Sequence, residues 1–444
     1  MVNFTSYNPA TGQPTGTFAC LPAAELETRV DASRQAAELW RHASFAERSA
    51  LLNQLASLLS AKRHQLAQCM SREMGKLQSE ALVEVDRCAL ECAYFAAHGQ
   101  AMLPLARSLT TFEPMGPVLL LTSWRFPLWQ VFRMLAPTLM AGNSVLLKLA
   151  ENLPQCAQQI AQLLQEAGAP SGLVSSLLIS KPTVAGLIAD PRIKALAFSG
   201  NKKDASLVAA LAGQHLKKVV LELDEIELQI ILDDADLEQA VDAALRSRFR
   251  NAGQLGHASR GFIVTPAIAD DFVRRMTARL AEIQPGDPQD LESSLGPLAT
   301  GQLRDDLHRQ VTAALAAGAH AVLGCELPTG QGWYYPASLL DKVGPEMAIF
   351  RQQLSGPLAC VVRVSGVEQI TELCNSLGQG GTASIWTRDL TQGERLARSL
   401  SVSACFVNAE PNKGRGHPQT FGPAPEGRFN IKEFCYMKSL VLSV

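Results

Sequence analysis

No apolar run in this chain approaches the roughly 18 residues that a membrane-spanning helix needs, so a membrane protein of the helical kind is not expected. Neither sign of charge prevails. There are 40 Lys and Arg against 42 Asp and Glu, a formal net charge of −2, which argues against a nucleic-acid binder driven by bulk electrostatics. The ten cysteines fall at no metal-ligand spacing. Cys88 and Cys92 stand one helical turn apart, which alone is weak evidence for a site, and the cysteines read as reduced, buried thiols of a cytosolic protein. Met1-Val2-Asn3-Phe4-Thr5 lacks a basic stretch followed by a hydrophobic core, so no secretory signal is seen and a cytoplasmic location is expected. There is no G-x-G-x-x-G, which removes the standard dinucleotide fingerprint. Internal repeats and low-complexity tracts are absent too.

What is present is an ordinary globular composition, 47% hydrophobic and 18% charged over 444 residues, enough for two or three domains with proper cores. Residues 22–103 read as helices. Leu51, Leu52, Leu55, Leu58 and Leu59 form one apolar face. Asp31 and Ser44 stand where N-caps would start helices, and Gly75 fits a left-handed helix end. From Pro117 the pattern becomes short apolar runs (118–122, 144–148, 174–179, 195–198, 219–223) separated by helical spacing, which predicts a parallel, doubly wound sheet. Leu228 to Leu232 opens a second alternating α/β region. It continues with strands at 262–264 and near 320, 337 and 359, and with helices over 267–283 and 301–317. The stretch Gly414 to Gly427 is rich in Gly and Pro and reads as loop, and Ser439 to Leu442 is β-prone.

Seven short segments share one likeness. Tyr7-Asn8-Pro9-Ala10-Thr11-Gly12, Thr122-Ser123-Trp124-Arg125-Phe126-Pro127, Lys148-Leu149-Ala150-Glu151, Ala197-Phe198-Ser199-Gly200-Asn201, Leu221-Glu222-Leu223-Asp224-Glu225, Gln352-Gln353-Leu354-Ser355-Gly356-Pro357 and Gln419-Thr420-Phe421-Gly422 resemble, in order, motifs of the aldehyde dehydrogenase superfamily. Arg72-Glu73-Met74-Gly75-Lys76 resembles the E-M-G-K segment of its succinate semialdehyde branch, the branch most similar to this chain. The likeness runs over nearly the whole sequence. It implies an α/β architecture of two doubly wound domains with a small β oligomerisation element. Residues 1–97 and 117–223 would form the nucleotide-binding-like domain, 224–411 the catalytic-like domain, and 98–116 with 412–444 the oligomerisation element.

The resemblance also implies a chemistry, and here the chain departs from the pattern. Aldehyde oxidation through a thiohemiacetal needs a thiolate, donors for the oxyanion, a hydride acceptor and a base that activates water. The family's nucleophile loop reads N-x-G-Q-x-C. Asn251, Gly253 and Gln254 match it, but the cysteine position is Gly256, which has no side chain to attack with. The oxyanion asparagine position is Arg125, long enough to fill the space a substrate needs, and the general-base position keeps its carboxylate as Glu222. Losing one oxyanion donor costs roughly 10²–10³ in rate; losing the nucleophile removes the covalent route. His257 beside Gly256 could pair with Glu222 for acid–base work, although a lone loop histidine is more often structural. Cys405 is too remote to inherit the nucleophile's role.

The implied cofactor is NAD, with weakened binding. Trp124, Lys148 and Gly200 are kept, and Glu151 stands where a carboxylate would accept from a ribose 2′-hydroxyl and repel a 2′-phosphate. Against this, Asn201 replaces a serine, Ala205 a glycine, Gln353 the glutamate of the nicotinamide ribose, and Ser355 a phenylalanine. Asp224 and Glu225 replace two glycines and add negative charge, which Lys202 and Lys203 partly offset. Arg133 aligns with a substrate-carboxylate arginine, and together with Arg125 it could bind a small anion. No metal is implied. A homodimer through the C-terminal strand is expected, and the shortened segments His98–Gly116 and Pro423–Arg428 weaken the case for a tetramer. Two functions follow: a catalytically inactive pseudoenzyme that binds a ligand or an unidentified protein partner, or an active oxidoreductase oxidising a small (semi)aldehyde with NAD by a rearranged site.

Overall fold

The computed structural model describes residues 3–103, 110–224, 227–256, 258–378, 381–410 and 429–441. An antiparallel hairpin, β1 (Asn3–Asn8) and β2 (Gln13–Ala19), opens the chain. Four helices follow: α1 (Ala23–Trp40), α2 (Phe45–Ala61), α3 (Arg63–Met74) and α4 (Gln78–Met102). Ser44 starts α2 through a capping box. Its hydroxyl accepts from the Glu47 amide at 3.2 Å, and the Glu47 carboxylate accepts from the Ser44 amide at 2.6 Å. Gly75, at φ +78°, ends α3. Asp31 does not start a helix; it lies inside α1, which begins after Pro22, and its carboxylate accepts from Arg192 at 2.9 Å. Proline sets the extended backbone at that helix entry, and Glu25 in the first turn complements the helix dipole, so the earlier start prevails.

The first sheet is parallel throughout. Its strands are β4 (Val118–Thr122), β5 (Val145–Lys148), β6 (Val174–Ser176), β7 (Ala195–Gly200) and β8 (Lys218–Leu223), in the order β6-β5-β4-β7-β8; a preceding strand, β3 (Thr110–Pro114), lies outside it. The crossover helices are α5 (Trp129–Ala141), α6 (Pro154–Glu166), α7 (Lys181–Ala189) and α8 (Lys202–Gln214). The strands β4, β5 and β7 are buried on both faces, which is why they read as continuous apolar runs. The chain leaves β4 to one side through β5 and β6, then returns to the other through β7 and β8. The switch point therefore falls between β4 and β7, and ligand crevices open at the carboxyl ends of strands at such points.

The second sheet has seven strands in the order β11-β12-β13-β10-β9-β14-β15. They are β9 (Glu227–Ile231), β10 (Ser259–Val264), β11 (His320–Leu323), β12 (Ser338–Asp341), β13 (Leu358–Arg363), β14 (Thr382–Trp386) and β15 (Ala404–Val407). All pairings are parallel except β11 with β12. Its helices are α9 (Leu237–Phe249), α10 (Pro266–Ala281), α11 (Gly301–Ala316), α12 (Ala348–Arg351), α13 (Val367–Ser376) and α14 (Leu390–Ser399). The last strand, β16 (Cys435–Ser439), pairs antiparallel with β3, Cys435 opposite Pro114 and Ser439 opposite Thr110. It reaches the first residue of the β-prone Ser439–Leu442 stretch, and residues 104–109 and 442 lie outside the described residues. The segment 411–428, with the expected Gly- and Pro-rich loop, lies outside the described residues. Among the described residues no helix is long and apolar enough to cross a membrane.

Candidate functional site

The site lies where the carboxyl ends of β4, β7 and β8 meet the amino ends of β9 and β10. Its frame is the turn Arg250–Gly253. Asn251, Ala252 and Gly253 all take left-handed backbone, at φ +51°, +52° and +70°. For the two non-glycine residues this conformation costs of order 1–3 kcal/mol each and survives only where neighbours over-determine it. They do so here. The Asn251 amide donates to both carboxylate oxygens of Glu80 at 2.9 and 3.0 Å, its side chain donates to the Arg125 carbonyl at 3.0 Å, and the Gln254 side chain accepts from the Ala299 amide at 2.8 Å. Gly253 must be glycine, since a Cβ there would stand 2.0 Å from the Gly356 carbonyl oxygen. Asn251, Gly253 and Gln254, matched by sequence as a motif, thus have structural work in the turn.

A buried network, of which the sequence marked only Lys76 as part of its E-M-G-K-like segment, holds the other wall. Lys76 pairs with Glu84, donates to the Arg125 carbonyl at 3.1 Å and sits 4.0 Å from the Phe126 ring centre. Glu84 in turn accepts from the amides of Leu128 and Trp129, both at 2.9 Å, at the start of α5. Burial raises the Glu80 carboxyl above its usual range. The Arg125 backbone is fixed from two sides, so its side chain has a defined origin.

That side chain does not hang in an open tunnel. Arg125 Nη1 pairs with Asp224 Oδ2 at 2.8 Å, with only 7% and 11% of the two side chains exposed. The Gln353 amide donates to the same oxygen at 2.7 Å. The second oxygen, Oδ1, points at Gly256, where an added Cβ would stand 2.0 Å away. Three positions that the sequence marks as departures from the family pattern therefore converge on a fourth, Asp224. Two residues back on β8, Glu222 pairs through Oε1 with Arg133 of α5, whose guanidinium stacks 5.2 Å from Trp129 and 5.1 Å from Phe429. Glu222 Oε2 is buried with no hydrogen-bond partner among the described residues. Arg125 and Arg133, which the sequence offers as a pair for a small anion, each face a carboxylate of the chain itself.

The positions assigned to a cofactor are likewise engaged. Lys148, whose ammonium pKa burial lowers, donates to the Leu149 carbonyl at 3.0 Å. Glu151 accepts from the Lys181 amide at 2.8 Å at the start of α7. Asn201 caps α8, accepting from the Asp204 amide at 2.9 Å. The Gly200 carbonyl accepts from the Asp224 amide at 3.0 Å, and Trp124 lies 5.2 Å from the Arg125 guanidinium. Lys202 and Lys203 are exposed at the start of α8, and Ser355 is half-buried beside Gly356. Glu225 and His257 lie outside the described residues. Cys405 belongs to β15, beyond β14 from β9, and its thiol contacts the Ala397 carbonyl. On the α4 side of the turn a small pocket remains, floored by Phe126, Trp129 and Leu255 and flanked by Arg87 and Arg250.

Known proteins resemble this chain over its whole length. The aldehyde dehydrogenase family model matches residues 2–431. The NAD(P)+ succinate semialdehyde dehydrogenase Sad of Escherichia coli strain K12 is 37% identical over 447 residues, covering 98% of this chain and 97% of that one. A probable NADP+ succinate-semialdehyde dehydrogenase of Synechocystis is 37% identical over 445 residues, covering 98% of each. The solved structure of the Streptococcus pyogenes succinic semialdehyde dehydrogenase in complex with NADP+ superposes with a TM-score of 0.90 at 29% identity, covering 99% of both chains. With an end-to-end match of sequence and fold, the chain belongs to the aldehyde dehydrogenase family.

Proposed function

We propose that this chain is a pseudoenzyme of its family: the aldehyde dehydrogenase scaffold is kept, the covalent oxidation of aldehydes is given up, and the cleft serves to bind a small ligand or a partner. The reading takes Gly256 as the position of the nucleophile and Arg125 as that of the oxyanion donor. The observation that carries it is the position of Asp224. Its carboxylate, held by Arg125 and Gln353, lies against Gly256, in the space a nucleophilic side chain would need. Arg125, Asp224, Gly256 and Gln353 form one interlocked unit. Random decay would scatter its losses through core and site alike, whereas the apolar core is intact in both sheets.

We also infer a homodimer through β16, where Tyr436 and Met437 face solvent, as do Leu440 and Val441 just beyond it. The test of the main reading is aldehyde-dependent reduction of NAD or NADP by the purified chain, with succinate semialdehyde as first substrate. No rate above background is expected; turnover that follows the protein through purification would overturn the reading. It would favour the second one, an active oxidoreductase with a rearranged site, for which the succinate semialdehyde dehydrogenases similar to this chain and the retained Glu222 speak.

A further inference from the structure

Away from the cleft, the first turn of α6 rests on α3, and two thiols and a carboxylate converge there. Glu73, buried at 1% exposure, accepts from the amides of Gln155 at 2.8 Å and Cys156 at 2.7 Å and from the Ser6 hydroxyl at 2.8 Å. One helical turn earlier on the same face of α3, Cys69 Sγ meets Cys156 Sγ at 3.7 Å. One donor atom from each of Cys69, Glu73 and Cys156 lies within 4.8 Å of the others. Two cysteines and a carboxylate are a donor set suited to a thiophilic divalent ion.

The sulfur–sulfur distance fits that reading, as it also fits a thiol–thiol contact. Two thiolates bound to one tetrahedral Zn²⁺ at about 2.3 Å each stand roughly 3.7–3.8 Å apart, the separation observed. Glu73 Oε2 takes a single backbone hydrogen bond and keeps a lone pair for an ion, so the α6 cap need not be broken. Cys69 is only half-buried, which leaves a path from solvent. The amino end of α6 favours the negative charge of the ligand set. A disulfide would instead need an external oxidant to remove two electrons and two protons, and it would make no use of Glu73.

We propose that Cys69, Glu73 and Cys156 form a binding site for one thiophilic divalent cation of the Zn²⁺ class. Binding displaces the thiol protons to solvent and involves no change of oxidation state. The ion ties α3 to α6, which begins three residues after Glu151, so it braces the loop carrying Lys148 and Glu151. The test uses the full chain, reduced with a phosphine, stripped by a chelator and titrated with Co²⁺. A thiolate-to-cobalt charge-transfer band with tetrahedral d–d bands, saturating at one Co²⁺ per chain and bleached by Zn²⁺, is expected. Cys69→Ser and Cys156→Ser should abolish it and Cys405→Ser should leave it. Zn²⁺ should raise the Tm of the wild type and not of Cys69→Ser. Should Cys156→Ser fail to fold, the half-buried Cys69 position still decides. A folded reduced chain without a saturable band, or a band that survives Cys69→Ser, overturns the proposal. So does peptide mapping that finds a Cys69–Cys156 disulfide in a protein whose reduced form takes up no Co²⁺.

Discussion

At the scale of single residues, Gly256 is informative for what surrounds it. A cysteine placed there brings a thiol but also a Cβ, and the nearest atom to that Cβ is Asp224 Oδ1 at 2.0 Å. The Asp224 carboxylate has little freedom to retreat, since Arg125 and Gln353 both hold its other oxygen. Gly256→Cys is therefore expected to remain without aldehyde-dependent NADH formation and to lose about 1–3 kcal/mol of stability through overpacking, read by denaturant melts beside the activity assay. Adding Asp224→Gly to that variant should relieve the overpacking; full activity from Gly256→Cys alone would show that Asp224 gives way freely. The Arg125–Asp224 pair supports a sharper measurement. Removing either partner of a buried pair strands a charge and costs roughly 3–5 kcal/mol. In a cycle of Arg125→Asn, Asp224→Gly and the double variant, the double should cost less than the sum of the singles by roughly 1–3 kcal/mol. Additive costs would mean that the two residues do not act as a unit.

At the scale of elements, the amino ends of β9 and β10 carry a titratable group placed to report on their packing. Glu227 opens β9, is buried, and accepts from the hydroxyls of Ser247 at the end of α9 (2.6 Å) and Ser259 at the start of β10 (2.8 Å). Burial pushes its carboxyl up to about 7, with Glu410 adding to the rise and the two serine hydroxyls opposing it. Because the folded state holds this proton more tightly than the unfolded chain, the contribution to stability is complete below the ordinary pKa near 4.5 and is lost as pH rises through about 7. The loss amounts to about 3 kcal/mol by pH 8. Glu227→Gln keeps an acceptor for both serines and carries no proton to lose. The stability of the variant minus that of the wild type should thus rise between pH about 4.5 and 7 and level off above it; a difference constant across that range would place the charged carboxylate in a better-solvated setting. The elements themselves were largely legible in the sequence. The Ser44 cap, the Gly75 helix end and the buried parallel strands follow from local chemistry. The β1–β2 hairpin was not, because the buried face of β1 alternates Phe4 with the polar Ser6, whose burial rests on a hydrogen bond to Glu73 of α3 and not on an apolar period.

At the scale of the whole molecule, the family architecture was legible because its motifs are spread along the entire chain. The interlock at the cleft was not, because it joins residues 125, 224, 256 and 353, which only the folded chain brings together. Nor was the convergence of Cys69 with Cys156, 87 positions apart, which sequence spacing does not reveal. The same engagement of side chains by one another bears on the nucleotide. Lys148, Glu151, Asn201 and Gln353, four positions that the resemblance assigns to the cofactor, each make an intrachain hydrogen bond in this structure. A dinucleotide that used all four would have to displace or share those bonds, at a net cost of order 1 kcal/mol each. About 4 kcal/mol corresponds to roughly a thousandfold in affinity, enough to turn a micromolar site into a millimolar one. Calorimetric titration with NAD, NADH and NADP should therefore show Kd values near or above the millimolar range, and Gln353→Glu alone should not restore tight binding, because it sets a second carboxylate beside Asp224. Micromolar binding of any of the three would mean that these hydrogen bonds open at little cost, and the cleft would then be a nucleotide sensor whose partners should be sought with the nucleotide bound and without it.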